Sequence, residues 1–221
     1  MSQIPTWRQA SRVFDEKAEE YDSWFENSLL FAIELAALQE IQTPISGPKL
    51  EIGVGSGRFA RAMNVTFGVD PAISPLLISK KRGIKVIQST GEALPLAENV
   101  VGAAFLLFAL CFISDPLQVF TECSRVLKDG GHLVIGMIPS TGPWGHDLRK
   151  KREKGHPFYQ YARFYDAATV EMLLEKAGFR LVEARSSLFQ RPDRVQHLEH
   201  SVTGALPEAG FLILVARNTQ R

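Results

Sequence analysis

Cysteine is scarce in this chain: its 221 residues include two, Cys111 and Cys123. Two cannot build a disulfide framework, and their burial-friendly neighbours point to reduced thiols. An excess of either charge is missing as well. Lysine and arginine number 25 against 24 acids, a formal net charge of +1, so no overall field favours nucleic acid or an anionic membrane. Long apolar runs are absent too. The longest uncharged one, Val100 to Ile113, has 14 residues, short of the ~18 that a membrane-spanning helix needs. The opening, MSQIPTWRQASRVFDEK, has no apolar segment of the kind a secretory signal requires. Together these absences predict a cytoplasmic protein with no membrane insertion and no nucleic-acid partner.

What is present is ample core material: 45% of residues are hydrophobic and 22% charged, enough for two or three packed layers. The first 43 residues are helix-like. VFDEKAEEYDSWFE mixes acids with aromatics, and SLLFAIELAALQEIQ has amphipathic spacing. Pro44, Gly47 and Pro48 end that segment. Short apolar runs then alternate with helical stretches. KLEIGVG, VTFGVD, IKVIQS, VVGAAFLLF and HLVIGMIP read as strands, and RFARAMN, SPLLISKKR and DPLQVFTECSRVLKDGG as helices, the last closed by Gly130–Gly131. Strands apolar on both faces predict a mainly parallel sheet covered on each side. The tail breaks this rhythm. A long polar and aromatic connection, PWGHDLRKKREKGHPFYQYARFYD, leads to the helix AATVEMLLEKAGF and the strand RLVEARSS. A loop over 189–209, rich in charge and histidine, precedes a final strand, GFLILVAR.

The sharpest local signal is LEIGVGSGRF at 50–59, where Gly53, Gly55 and Gly57 follow directly on an apolar run. Glycine inside a strand or helix is destabilising by roughly 0.5–1 kcal/mol relative to alanine, so three in alternation imply a need for bare backbone. The turn after the first strand of a parallel sheet is where ligands bind, with free N–H donors at the helix start. A small-molecule clasp follows. The dinucleotide fingerprint G-x-G-x-x-G would place glycine where Arg58 stands, and here the third glycine comes one residue early.

The pattern instead resembles the E/D-x-G-x-G-x-G motif of class I methyltransferases that use S-adenosylmethionine, and it has companions. Asp70 ends VTFGVD; STGEALPL at 89–96 is similar to the family's G-D-A-x-x-L-P-F, with Thr90 where aspartate is usual. FALCFISDPLQVFTECSRVLKDGGHLVIGMI is similar to the family's fourth strand, helix and LKPGG turn, with Asp129 in the place of proline. VFDEKAEEYDSWF resembles the opening, F-x-x-x-A-x-x-Y-D, of the ubiquinone/menaquinone-type methyltransferases and their small-molecule relatives. The resemblance runs from about residue 13 to 138, and more loosely to the final strand.

That resemblance implies a Rossmann-like, doubly wound α/β fold: a seven-stranded sheet, mostly parallel with an antiparallel last strand, under a helical N-terminal cap. It implies a single domain over 1–221, comprising a lid at 1–43, a cofactor-binding core at 49–138, an acceptor-side insertion at 139–165 and a C-terminal helix and strands at 166–221. Glu51, directly or through a water, would neutralise the methionine ammonium of S-adenosylmethionine, and Gly53, Gly55 and Gly57 would give it backbone room. Asp70, before Pro71, would accept both ribose hydroxyls; equally, aspartate before proline favours a turn. Thr90, Gly91 and Glu92 would edge the adenine, and Phe108 and Ala109 would border the methionine tail. Tyr21, Trp24 and Phe25 lie on the segment that relatives fold over the cofactor, with Tyr21 expected nearest.

The acceptor pocket is expected between that lid, the tip of strand four and the segment after strand five. Its candidates are Phe112, Trp144, His146, Tyr161, Arg163 and Phe164. The motif fixes no catalytic residue; His146, Tyr161 and Arg163 are candidates, with His156 a further base. Arg163 either meets an anionic substrate or pairs with a local acid. A base is needed only for a weakly acidic hydroxyl or a protonated amine. HLEH at 197–200 lacks a third ligand, so no metal is expected. Cys111 reads as a small apolar residue, RKKREK at 149–154 as a solvated helix face, and Leu29, Leu30, Ile33, Leu35 and Leu38 as packing or a dimer contact. The sequence thus predicts an S-adenosylmethionine-dependent methyltransferase acting in line on a small-molecule acceptor, as monomer or homodimer. Its rivals are a non-catalytic sensor of S-adenosylmethionine or S-adenosylhomocysteine and, disfavoured by Arg58, a nicotinamide oxidoreductase.

Overall fold

The apolar runs become strands of one sheet in the computed structural model, which describes residues 7–219. In chain order they are β1 Lys49–Ile52, β2 Phe67–Asp70, β3 Lys85–Gln88, β4 Val101–Leu107, β5 Leu127–Met137, β6 Phe179–Ser187, β7 Val202–Thr203 and β8 Phe211–Asn218. Across the sheet the order is 3-2-1-4-5-8-6-7. β1 runs parallel to β2 and β4, as do β2 to β3 and β4 to β5. β8 is antiparallel to both neighbours, β5 and β6.

The sheet therefore has eight strands rather than the expected seven. The addition is β7, paired antiparallel to β6 through Arg185–Thr203 and Ser186–Val202. It lies within 189–209, read from the sequence as loop. Two residues are too few to display the alternation that marks a strand, and main-chain pairing at the sheet edge creates it.

Among the described residues eight α-helices surround the sheet: α1 Trp7–Glu16, α2 Ala18–Ser23, α3 Leu29–Gln39, α4 Arg58–Ala62, α5 Ile73–Lys81, α6 Pro116–Val126, α7 Pro143–Glu153 and α8 Ala167–Lys176. Their starts follow local chemistry. Ser28, Asp115 and Asp166 accept from the backbone N–H groups of Phe31, Gln118 and Thr169, capping α3, α6 and α8. The helix expected to run to Asp129 stops at Val126 instead. Leu127 is fully buried and pairs with Val101, so burial overrides its helix propensity. Gly130, at φ +68°, turns the surplus residues before His132 rejoins the ladder opposite Ala103.

Two apolar layers result, one on each face. Leu50, Ile52, Ala104 and Leu106 pack with Phe120 of α6 and Leu174 of α8. Ala103, Phe105 and Val134 pack with Ile33, Ala37 and Leu38 of α3. Each fully buried Phe or Leu stabilises by roughly 1.5–3 kcal/mol, against about 0–1 kcal/mol for a surface ion pair. The layers, not the surface charges, make the strand ends a rigid platform. Among the described residues, no helix is long and apolar enough to cross a membrane.

Candidate active site

Glycine 53 stands where β1 ends, and the platform begins there. Its N–H and that of Val54 both donate to Val69 O, at 2.8 and 3.0 Å, which ties the loop to β2. Its φ is +72°, and a Cβ built there would lie 2.4 Å from the Cβ of Ala109. Gly55, at φ +50°, would aim a Cβ at Tyr21, 3.8 Å from its ring. Bare backbone is thus required by conformation and space at Gly53, and by conformation at Gly55, where a Cβ would make only ordinary contact. Gly57 starts α4 and packs against Ser79; it does not wall the chamber described next.

That chamber, open to solvent at its mouth, lies above the ends of β1, β2 and β4, with about 760 Å³ of empty space counting the mouth. Gly53, Gly55, Asp70 and Pro71 wall one side; Thr90, Gly91 and Glu92 follow from the segment after β3, and Phe108, Ala109 and Tyr21 close it. Asp70 organises the loops. One carboxylate oxygen accepts from Gly55 N–H at 2.8 Å, the other from Ala72 N–H at 2.8 Å. The second bond is the aspartate–proline turn, yet a carboxylate offers about four acceptor sites, so two remain for a ligand's hydroxyls. Burial pushes the Asp70 carboxyl up to about 6, opposed by those two backbone donors. Glu51 is 3% exposed, outside the chamber wall, and its Oε2 has no hydrogen-bond partner among the described residues. Burial first, then Asp70, raises its pKa well above the ordinary range. An orphaned acid, a glycine cradle and a half-used carboxylate fit a ligand with a cationic head and a diol. Glu92 is partly committed elsewhere: its Oε1 accepts from Ser114 N–H at 3.3 Å, ahead of α6.

The sequence did not reveal that α1 also forms a wall, through Trp7, Ala10, Ser11 and Phe14. Nor did it reveal what holds α2 down. Asp22 takes a forked pair from Arg58, Nε at 2.9 Å and a terminal nitrogen at 2.7 Å, and a further bond from Arg82 at 2.8 Å. Arg82 also donates to Ser56 O in the glycine loop. Burial alone would raise the Asp22 carboxyl, but the guanidinium hydrogen bonds outweigh it and hold it far below the usual range. Its contribution is therefore complete above pH ~4 and lost only in strong acid. Removing it in Asp22→Ala should loosen α1–α2 locally by about 1–3 kcal/mol, less than for a fully buried pair. Amide exchange should quicken roughly 10- to 100-fold over residues 7–26 and not in β1, β4 or β5; unchanged exchange would remove Asp22 from the role.

Beyond Tyr21 and Phe108 opens a second chamber, about 940 Å³ of empty space counting its solvent-open mouth, sharing Phe14, Tyr21, Phe108 and Phe112 with the first. Its walls are mostly rings, Trp24, Phe31, Phe158 and Tyr159 among them. Phe108 holds φ +58°, unusual for a bulky residue. A bond from its N–H to Gly136 O and stacking on Phe211 at 5.0 Å keep it there. Of the acceptor candidates, Phe112 and Phe164 wall this chamber. Trp144 is buried with its indole N–H on Gln190 O. His146, Tyr161 and Arg163 wall neither chamber; Arg163 lies over the Tyr165 ring at 5.2 Å. His156, outside the walls, packs on Tyr159 at 4.8 Å. Burial pushes the Cys111 thiol up to about 12, which keeps it from acting as a thiolate. His197 and His200 lie in irregular chain, the latter against Glu40.

Comparison with known proteins agrees with this geometry. A family model described as a methyltransferase domain matches residues 50–135. An uncharacterised protein of Mycobacterium bovis is 39% identical over 211 residues, 94% of this chain and 74% of that protein. A solved structure from Thermotoga maritima, described as an S-adenosylmethionine-dependent methyltransferase and possible histamine N-methyltransferase, is 31% identical with a TM-score of 0.88, covering 96% of this chain and all of that one. A ubiquinone/menaquinone biosynthesis C-methyltransferase of Syntrophotalea carbinolica is 30% identical over 139 residues, 56% of this chain and 58% of that protein. The glycine cradle, the sheet order and these likenesses converge: the chain belongs to the class I S-adenosylmethionine-dependent methyltransferases.

Proposed function

We propose that the chain methylates a small molecule seated in the aromatic chamber while S-adenosylmethionine occupies the glycine-lined one. The observation that carries this reading is the shared wall: Tyr21, Phe14, Phe108 and Phe112 border both spaces. Glu51, directly or through a water, takes the methionine ammonium, Asp70 the ribose hydroxyls, and Thr90, Gly91 and the backbone of Glu92 the adenine. The cofactor supplies an electrophilic methyl group: the acceptor's lone pair forms the new bond as the carbon–sulfur bond breaks and sulfur keeps the pair. The protein's part is alignment and exclusion of water, worth on the order of several kcal/mol. The α1–α2 layer, latched by Asp22, acts as the lid.

The description of the Thermotoga relative names a small molecule, histamine. The likeness to the quinone-pathway enzyme spans 56% of this chain, and no acceptor is taken from it. Incubation with S-adenosylmethionine and a panel of small amines, phenols, thiols and quinols should form S-adenosylhomocysteine with at least one class above the acceptor-free rate. Tight cofactor binding with no acceptor-dependent product across the panel would favour a sensor.

A further inference from the structure

A carboxyl group interrupts the ring-lined wall. Glu34, on α3, is 4% exposed and borders the aromatic chamber. Burial raises its pKa to about 8, with no hydrogen bond or ion pair among the causes. Its helix neighbours Ile33, Ala37 and Leu38 fill the core, so nothing in the packing calls for an acid at this position. A buried ionisable group without a partner is costly, and folded interiors supply one. Here the open space beside it is the place for that partner.

The rest of the wall narrows what the partner is. Among the described residues no lysine, arginine or histidine borders the chamber, so an anionic acceptor would meet no opposite charge from them. The other titratable wall groups, Tyr21, Cys111, Tyr159 and Tyr165, are all pushed upward by burial and stay neutral. His156 and Asp147 lie behind Tyr159 and outside the wall. Among the described residues Glu34 is the wall group that can carry charge near neutrality. Tyr21 and Trp24, 5.5 Å apart and edge-on, add the ring faces that attract a cation.

Resting on the function proposed above, we propose that the acceptor is a protonated alkyl- or arylalkylamine, its ammonium held by Glu34 among these rings, and that Glu34 takes its proton before methylation. One N–H bond of the ammonium breaks, the proton passes to a carboxylate oxygen, and nitrogen keeps the electron pair. The methylated product leaves as an ammonium carrying the charge the sulfonium brought, and the proton on Glu34 returns to solvent. The exchange is well matched. An alkylammonium titrates near ~10, about 2 units from Glu34 as placed and about 6 from an ordinary glutamate.

The test is calorimetry on the full chain with S-adenosylhomocysteine present, using 2-phenylethylamine, 2-phenylethanol and 3-phenylpropionate as probes of one shape. The amine should bind about 30-fold or more tighter than the other two, and Glu34→Gln should erase that preference while S-adenosylhomocysteine affinity holds. At pH 7 amine binding should release about one proton, read from the dependence of heat on buffer, and E34Q should release none. Should E34Q not fold, Trp24→Leu replaces it, with a loss confined to the amine. The inference is overturned if the amine binds no better than the alcohol, if E34Q keeps the preference, if W24L weakens amine and alcohol alike, or if no probe binds to protein that holds S-adenosylhomocysteine. Failure to hold S-adenosylhomocysteine would instead overturn the parent reading.

Discussion

Asp70→Asn is expected to weaken S-adenosylhomocysteine binding by about 100-fold. Hydrogen bonds to a charged group contribute about 1.5–3 kcal/mol each, and each 1.4 kcal/mol is tenfold in affinity. Asparagine keeps one acceptor oxygen and turns the other into a donor. That donor must face either a ribose hydroxyl or the N–H of Gly55 or Ala72, both of which Asp70 now satisfies at 2.8 Å. The loss therefore falls on the ligand and on the loop together. A dependence on pH accompanies it. The Asp70 carboxyl titrates at about 6, raised chiefly by burial, and only its ionised form accepts from two hydroxyls at once. Affinity should fall as pH drops through about 6 in the native protein, and that inflection should vanish in D70N. Because Glu51 also titrates above its usual range nearby, the difference between the two profiles, rather than either alone, isolates Asp70. Equal affinity of both proteins for S-adenosylhomocysteine would remove Asp70 from the site.

Gly53→Ala should be costly twice over, in backbone strain and in a steric clash. At φ +72° a Cβ meets the strain of the left-handed region, about 1–2 kcal/mol. It also meets the Ala109 Cβ at 2.4 Å, and relieving such overpacking costs about 1–3 kcal/mol. For a chain of this size the sum lowers the melting temperature by roughly 5–15 °C. Cofactor binding should suffer further, since the loop shifts where it bounds the chamber. The two costs separate in a double variant. Ala109→Gly removes the clash and leaves the backbone strain, so G53A/A109G should recover about half of the lost stability. No recovery would show that the 2.4 Å approach is not what constrains position 53.

How much of this was legible in the sequence follows from the range of each signal. β1, β2 and β4 announce themselves locally, because a strand covered on both faces is a short apolar run and Gly53 and Asp70 sit at such runs' ends. Other features depend on residues far apart in the chain. Asp22 meets Arg58 and Arg82 across 36 and 60 positions, and no local pattern encodes that. Arg58 was informative in sequence only as a missing glycine; in the fold it is a partner for the lid. Glu34 does not stand out inside SLLFAIELAALQEIQ, which reads only as an amphipathic helix, since periodicity does not distinguish a polar side chain facing water from one facing a cavity. The acceptor candidates Trp144, His146, Tyr161 and Arg163 shared a segment with Phe158, Tyr159 and Phe164, which do reach the chamber. Trp144 and His146 lie on α7, within a stretch read from the sequence as a connection, and Tyr161 and Arg163 follow it; which of these side chains reach the chamber is set by packing rather than by any repeat.

The position of β8 bears on how the molecule comes together. It fills the gap between β5 and β6, so a nascent chain that has emerged only as far as residue 210 holds two exposed, unmated edges with apolar faces. Long-range pairing of this sort is slow to form, and open edges invite sticking to other chains. Residues 211–218 are therefore the keystone of assembly: until they arrive the two halves of the sheet cannot be joined, and a ribosome pausing just short of them leaves the protein at its most vulnerable.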